Sequence, residues 1–249
     1  MHLATRWKTV TNVATTASLL ALLPAAAQAA RTASAPQVAP EAQTVSLLAA
    51  HAVRSAPGTD SRTVAAVAAK RPVTGARTTL PVLAQTIDDD GRFWLQVRLP
   101  GRVLGGRTPP RSGWISAERT RLATTRWHIV VEVRARRVAV YRGGRVLRSY
   151  TAGVGKPSTP TPLGEFFVEE NVKMPSDALG APFALALSAR SAVLREFAGG
   201  PGQIAVHGMR NIGGRLGTGG SFGCVRLGDR DIEWLAHHIM PGVPVTILG

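Results

Sequence analysis

The sequence predicts a mainly β protein. From Leu80 onward, short apolar runs recur between Gly, Pro and Asp-Gly turn signals, which is how strands separated by tight connections read. Only one stretch, about Arg230 to Ile239, carries an apolar stripe at helical spacing with a polar opposite face. Within 249 residues, of which 45% are hydrophobic, such a chain can build a sizeable core in one large domain or two small ones.

In chain order, residues 1–30 read as a secretory signal. Arg6 and Lys8 precede an uncharged stretch centred on Leu19-Leu20-Ala21-Leu22-Leu23, and Ala27-Gln28-Ala29 offers small residues for cleavage. The apolar part is shorter than the ~20 residues a spanning helix needs, and Pro24 interrupts it. The chain is therefore expected outside the cytoplasm, in the periplasm or cell wall, with membrane contact only through the signal if it stays uncleaved. Residues 31–71 shift to Ala, Pro, Thr, Ser and Val with no convincing apolar period beyond Val45-Leu47-Leu48. They read as a disordered, Ala/Pro-rich linker.

Residues 72–123 read as a small β module. Leu80–Ile87 and Arg92–Leu99 flank Asp88-Asp89-Asp90-Gly91, a strong hairpin signal. Pro100–Arg111 is a Gly/Pro/Arg loop, and Gly113-Trp114-Ile115 opens another short strand. The runs Trp94-Leu95-Gln96-Val97 and Gly113-Trp114-Ile115 resemble bacterial SH3-like domains, which often bind cell-wall peptides; a spacer that positions the next domain is the other reading.

Residues 124–249 form the second unit. Trp127–Val133, Arg137–Tyr141, Arg145–Thr151, Gly164–Glu169, Phe183–Ser188, Gln203–Val206 and Val243–Leu248 read as strands, with Gly143-Gly144 a tight turn. Asp229 is placed to cap the C-terminal helix, and a shorter helix is expected near Ala189–Phe197.

Charge narrows the partners. Lys and Arg number 30 against 15 Asp and Glu, a formal net charge of +15. The excess is dispersed, with no Lys/Arg block and no aromatic-studded strand of the RNA-binding kind, so nucleic acid is not expected. A dispersed positive field fits attraction to the polyanions of a cell wall.

Cys224 is the only cysteine, so no intramolecular disulfide explains it. It lies in Ser221-Phe222-Gly223-Cys224-Val225-Arg226, seventeen residues after His207. A thiol needs a base or a positive potential to act as a nucleophile. His207 at a strand end is the candidate base, with the glycine-rich 208–220 segment returning the chain. Arg226, two residues past the thiol, is suited to a thiolate or a substrate carboxylate. Gly223 permits close substrate approach, and the N–H groups of Gly223 and Cys224 are candidate oxyanion donors. Ser221 is a candidate for a further substrate hydrogen bond. No metal or cofactor is expected: His237 and His238 diverge on a helix without a second cysteine, and Gly153-Val154-Gly155-Lys156 lacks the upstream glycine and the hydroxyl of a phosphate loop.

These residues resemble the signature of the L,D-transpeptidase (YkuD-type) catalytic domain, a histidine followed by Ser/Thr-His-Gly-Cys-hydrophobic-Asn/Arg. Ser149-Tyr150-Thr151-Ala152-Gly153 and Thr159-Pro160-Thr161-Pro162-Leu163-Gly164-Glu165-Phe166 resemble it too. The resemblance implies a YkuD-like β-sandwich with a helix near the C-terminus, here preceded by the small SH3-like barrel. It implies a cysteine-dependent acyl transfer on peptidoglycan stem tetrapeptides, releasing D-Ala through a thioester and forming 3-3 cross-links. It also implies inhibition by carbapenems and a role for the Gly208 carbonyl in orienting the His207 ring. The family's histidine before Gly-Cys is Phe222 here, which removes any hydrogen bond that ring makes. Sortase-like spacing does not fit. Hydrolysis of the same acyl-enzyme by an L,D-carboxypeptidase, and a non-catalytic wall-binding protein, remain the alternatives.

Overall fold

The computed structural model describes residues 36–197 and 199–249; the signal reading of residues 1–30 lies outside them. Two sheets frame the described residues. The first contains β1 (Ala42–Leu47), β2 (His51–Arg54), β3 (Thr63–Val67), β4 (Thr79–Ile87), β5 (Phe93–Arg98), β6 (Ser112–Ser116) and β7 (Thr120–Thr125), in the order β3-β2-β6-β5-β4-β1-β7. The second unit comprises β8 (Trp127–Glu132), β9 (Arg137–Arg142), β10 (Arg145–Thr151), β11 (Val154–Gly155), β12 (Gly164–Lys173), β13 (Phe183–Arg190), β14 (Gln203–His207), β15 (Gly219–Ser221), β16 (Val225–Arg226), α1 (Asp229–His238) and β17 (Pro244–Leu248). Eight of its strands run in the order β10-β9-β8-β17-β12-β13-β14-β16, while β11 and β15 pair separately. The mainly β expectation holds, with one helix among the described residues, near the C-terminus.

The turn chemistry explains the register. The β4–β5 hairpin turns at Gly91, whose φ of +77° a glycine adopts without strain. Asp88 braces it by accepting from the Arg92 and Asp90 amides and from Trp94 Nε1. Gly143 and Gly144, both with positive φ, join β9 to β10 as a primed hairpin turn requires.

Three expectations are corrected. The linker read over 31–71 contains β1, β2 and β3, in which Val45, Leu47, Val53 and Val67 are buried. Their partners are distant in sequence, β1 pairing with β4 and β7, so a local apolar count could not find them. The short helix expected near 189–197 does not form. β13 runs on to Arg190, and the Ser191 hydroxyl then accepts from the Val193 and Leu194 amides in a turn. Finally, Gly228 rather than Asp229 is the N-cap of α1.

One core gathers Val45, Leu47, Leu80, Leu95, Val97 and Ile115 inside the first sheet, and Phe167 of β12 enters it. The other lies between the second sheet and α1, where Leu185, Leu187, Val206 and Val225 meet Ile232 and Leu235. That second core sets the site: it anchors the ends of β14 and β16.

Candidate active site

β14 and β16 run parallel, with Val206 opposite Val225 and His207 opposite Arg226. Side chains alternate across a strand, so burying Val206 and Val225 leaves His207, Cys224 and Arg226 on the opposite face. The structure thus brings the three separated residues together. The partly buried thiol takes the Ala205 N–H at 3.4 Å and reaches the Gln203 carbonyl at 4.0 Å.

The imidazole is held in one tautomer. Nδ1 of His207 donates to the Gly208 carbonyl at 2.8 Å; since a carbonyl only accepts, Nδ1 carries the proton and Nε2 keeps its lone pair. Gly180 and Gly208 let the backbone close around the ring: a Cβ at Gly180 would stand 2.5 Å from Nδ1, and one at Gly208 2.1 Å from the Ala181 carbonyl. Burial, reinforced by the Arg226 charge, lowers the His207 pKa below 6.5, against the Gly208 bond. Burial also lifts the Cys224 thiol above 9.0, opposed by the Ala205 amide and Arg226. Both shifts favour the uncharged forms, a neutral thiol and a neutral imidazole.

The turn before the thiol departs from expectation. Gly223 N–H donates to Ser221 Oγ at 3.1 Å, and that hydroxyl donates to the Cys224 carbonyl at 2.6 Å. The Gly223 amide is therefore committed inside the turn rather than presented as an oxyanion donor. Ser221 is buried and braces the nucleophile; its hydroxyl is spent there and not on a substrate. Gly223 itself, at φ +114°, is demanded by the turn, and a Cβ would stand 2.9 Å from Ile204 Cδ1.

Two residues that sequence reasoning assigned no role hold this turn from outside. Thr161 Oγ1 donates to the Gly223 carbonyl at 2.9 Å and accepts the Gly155 N–H, while Thr159 Oγ1 donates to the Ser221 carbonyl at 3.2 Å. Both threonines are buried. Their signal was the Thr-Pro-Thr-Pro run already noted in the sequence. Asp229, displaced from the cap, instead accepts the Met209 and Arg210 amides and fixes the segment after His207.

Arg226 pairs its backbone with Gly153 and extends Nη1 to the Gly213 carbonyl at 3.4 Å. Its Nε is buried without a partner among the described residues. Phe222 is half-exposed, lies 5.6 Å from the Phe197 ring and carries Lys156 Nζ 4.4 Å over its face. Among the described residues no three His, Cys, Asp or Glu side chains converge on a metal position.

The family defined as the L,D-transpeptidase catalytic domain (YkuD) matches residues 126–247. A putative L,D-transpeptidase YkuD of Bacillus subtilis is 31% identical over 124 residues, covering 50% of this chain and 67% of that protein. L,D-transpeptidase 1 of Mycobacterium tuberculosis is 30% identical over 132 residues, covering 48% of this chain. The chain spans about half the length of that mycobacterial relative, 49%. Among solved structures, an L,D-transpeptidase from Mycobacterium smegmatis is 20% identical with a TM-score of 0.39, covering 63% of this chain and 90% of that one.

Proposed function

The chain belongs to the L,D-transpeptidase family with the YkuD-type catalytic domain, and from that premise we propose that it is a cysteine-dependent acyltransferase acting on peptidoglycan stem tetrapeptides outside the cytoplasm. The observation that carries the reading is the His207 tautomer. With Nδ1 bonded to Gly208, Nε2 is the ring atom free to take the proton of Cys224, which shares its sheet face.

In the proposed reaction the thiol proton moves to Nε2 as sulfur attacks the carbonyl of the amide before the terminal D-Ala. The Cys224 N–H, which makes no hydrogen bond among the described residues, is the backbone donor left for the oxyanion. The imidazolium protonates the leaving amine, D-Ala departs and a thioester remains. An acceptor side-chain amine then attacks the thioester, loses a proton to Nε2, and the thiol is restored as a 3-3 cross-link forms. Arg226, half-buried opposite His207, is the group suited to a substrate carboxylate. A carbapenem would acylate the same sulfur.

The test incubates the mature protein with disaccharide-tetrapeptide and follows products by mass spectrometry, beside Cys224→Ala. Dimers lacking one D-Ala, absent in the variant, are expected. Tripeptide alone would make the enzyme an L,D-carboxypeptidase. No conversion, with undiminished binding to cell-wall sacculi, would replace the catalytic reading by a wall-binding one.

A further inference from the structure

β3 is the outer strand of the first sheet and pairs with β2 alone. Beside it lies a groove of about 720 Å³, walled by Arg62–Ala68 on one side and by the 99–103 and 107–109 stretches of the Gly/Pro loop on the other. Successive side chains of a strand point to opposite faces, so a groove that touches every residue from Arg62 to Ala68 must run along the strand's open edge. That edge offers backbone N–H and C=O groups that no other strand takes up. Ala65, Ala66 and Ala68 line it with short side chains, leaving room for another backbone.

The charge of the groove is one-sided. Arg62 stands just before β3 and Lys70 just after it, and Arg107 faces them from the loop. All three are exposed and form no ion pair among the described residues. Arg71 and Arg102 add to the field from below, though Arg71 is held by Glu169 and Arg102 by the Ser191 carbonyl. No carboxylate lines the groove.

We propose that this groove is a binding site for an extended acidic peptide segment, which adds to β3 as an eighth strand while its carboxylates meet Arg62, Lys70 and Arg107. The open edge calls for a backbone able to complete a β ladder, and the cations call for carboxylates at both ends of the segment. At about 3.3 Å per residue, five residues of β3 span roughly 17 Å, so the ligand contributes about four to six residues. A polyphosphate would satisfy the charges but not the ladder. The proposal is independent of the transpeptidase reading, because no residue of the groove belongs to the candidate active site.

Fluorescence anisotropy on the full chain, at about 0.15 M salt, tests it. The probe is a labelled peptide of alternating Glu and Val; its controls are the same peptide with a central proline, its Lys-for-Glu counterpart, and a polyphosphate of equal charge. Saturable binding of the acidic peptide is expected, weakened roughly five- to tenfold by the proline, which removes a ladder donor, and by the double variant Arg62→Ser/Arg107→Ser. The Lys peptide should not bind. Both replaced arginines are exposed, so an unchanged thermal unfolding profile verifies that the variant is folded. Absence of binding by the acidic peptide overturns the proposal. So does binding that is indifferent to the proline and matched by polyphosphate, which would make the groove a general polyanion patch.

Discussion

Burial acts on Cys224 and His207 in opposite chemical senses with the same outcome, since it disfavours the charged form of each. The thiol should consequently be a slow nucleophile toward reagents that bring no binding energy of their own. Iodoacetamide alkylation of Cys224, followed by intact mass, is expected to accelerate with pH around a midpoint above 9.0. A midpoint near neutrality would mean a preformed thiolate–imidazolium pair and overturn the neutral resting state. The same shifts predict a stability plateau. Below pH 6.5 the unfolded chain takes a proton that the folded His207 resists, so stability falls as pH drops. Above 9.0 the unfolded thiol gives up a proton that the folded one keeps, so stability falls as pH rises. Chemical denaturation across this range, with His207→Ala and Cys224→Ser flattening the acid and alkaline limbs in turn, measures it.

At the scale of elements, the site hangs between the end of β14, the 221–224 turn and the start of α1. Asp229 ties the first to the last: Oδ1 takes the Met209 amide at 2.9 Å and the Arg210 amide at 3.1 Å, and Oδ2 takes Arg210 Nε at 3.2 Å. As an acid in the first helical turn it also suits the positive end of the helix. Asp229→Ala is expected to cost about 1–3 kcal/mol by stranding those amides, and to lower tetrapeptide turnover by releasing the carbonyl of Gly208 that orients His207. Asp229→Asn retains an accepting Oδ1 and should recover most of the turnover. Turnover and thermal unfolding of both variants decide it: an Asn variant as impaired as Ala would remove Asp229 from the positioning of the ring.

For the whole molecule, Glu169 is a buried polar link between the two sheets. Its side chain is fully buried, pairs with Arg71 and Arg190, and accepts from the Gly101 amide at 2.8 Å and Gln203 Nε2 at 3.2 Å. Next to it, Phe167 is buried in the core of the first sheet although it belongs to β12. Neither sheet is therefore complete without the other. Glu169→Gln leaves the buried Arg190 guanidinium without its counter-charge and Arg71 with Glu170 alone, and should lower stability by about 3–5 kcal/mol, read as a shifted midpoint in urea unfolding. A shift within about 0.5 kcal/mol of wild type would show that the charge at Glu169 contributes little.

What could be read from the sequence was local. Turn signals such as Asp90-Gly91 and Gly143-Gly144, the helical stripe through Ile232 and Leu235, and the Ser-Phe-Gly-Cys-Val-Arg run with its upstream histidine each fit within a few residues or one short return of the chain. Those features were enough to predict a mainly β fold, the candidate nucleophile and its base. The tertiary structure decided everything that depends on a distant partner. β1 to β3 needed β4, β6 and β7 to become strands. The direction of the Gly223 amide was decided by Ser221, a turn held in turn by Thr161 from 62 positions away. Glu169 acquired its meaning from Arg71, 98 positions upstream. A buried polar group must find a partner wherever the packed chain brings one, and that choice is made by the fold rather than by sequence neighbours.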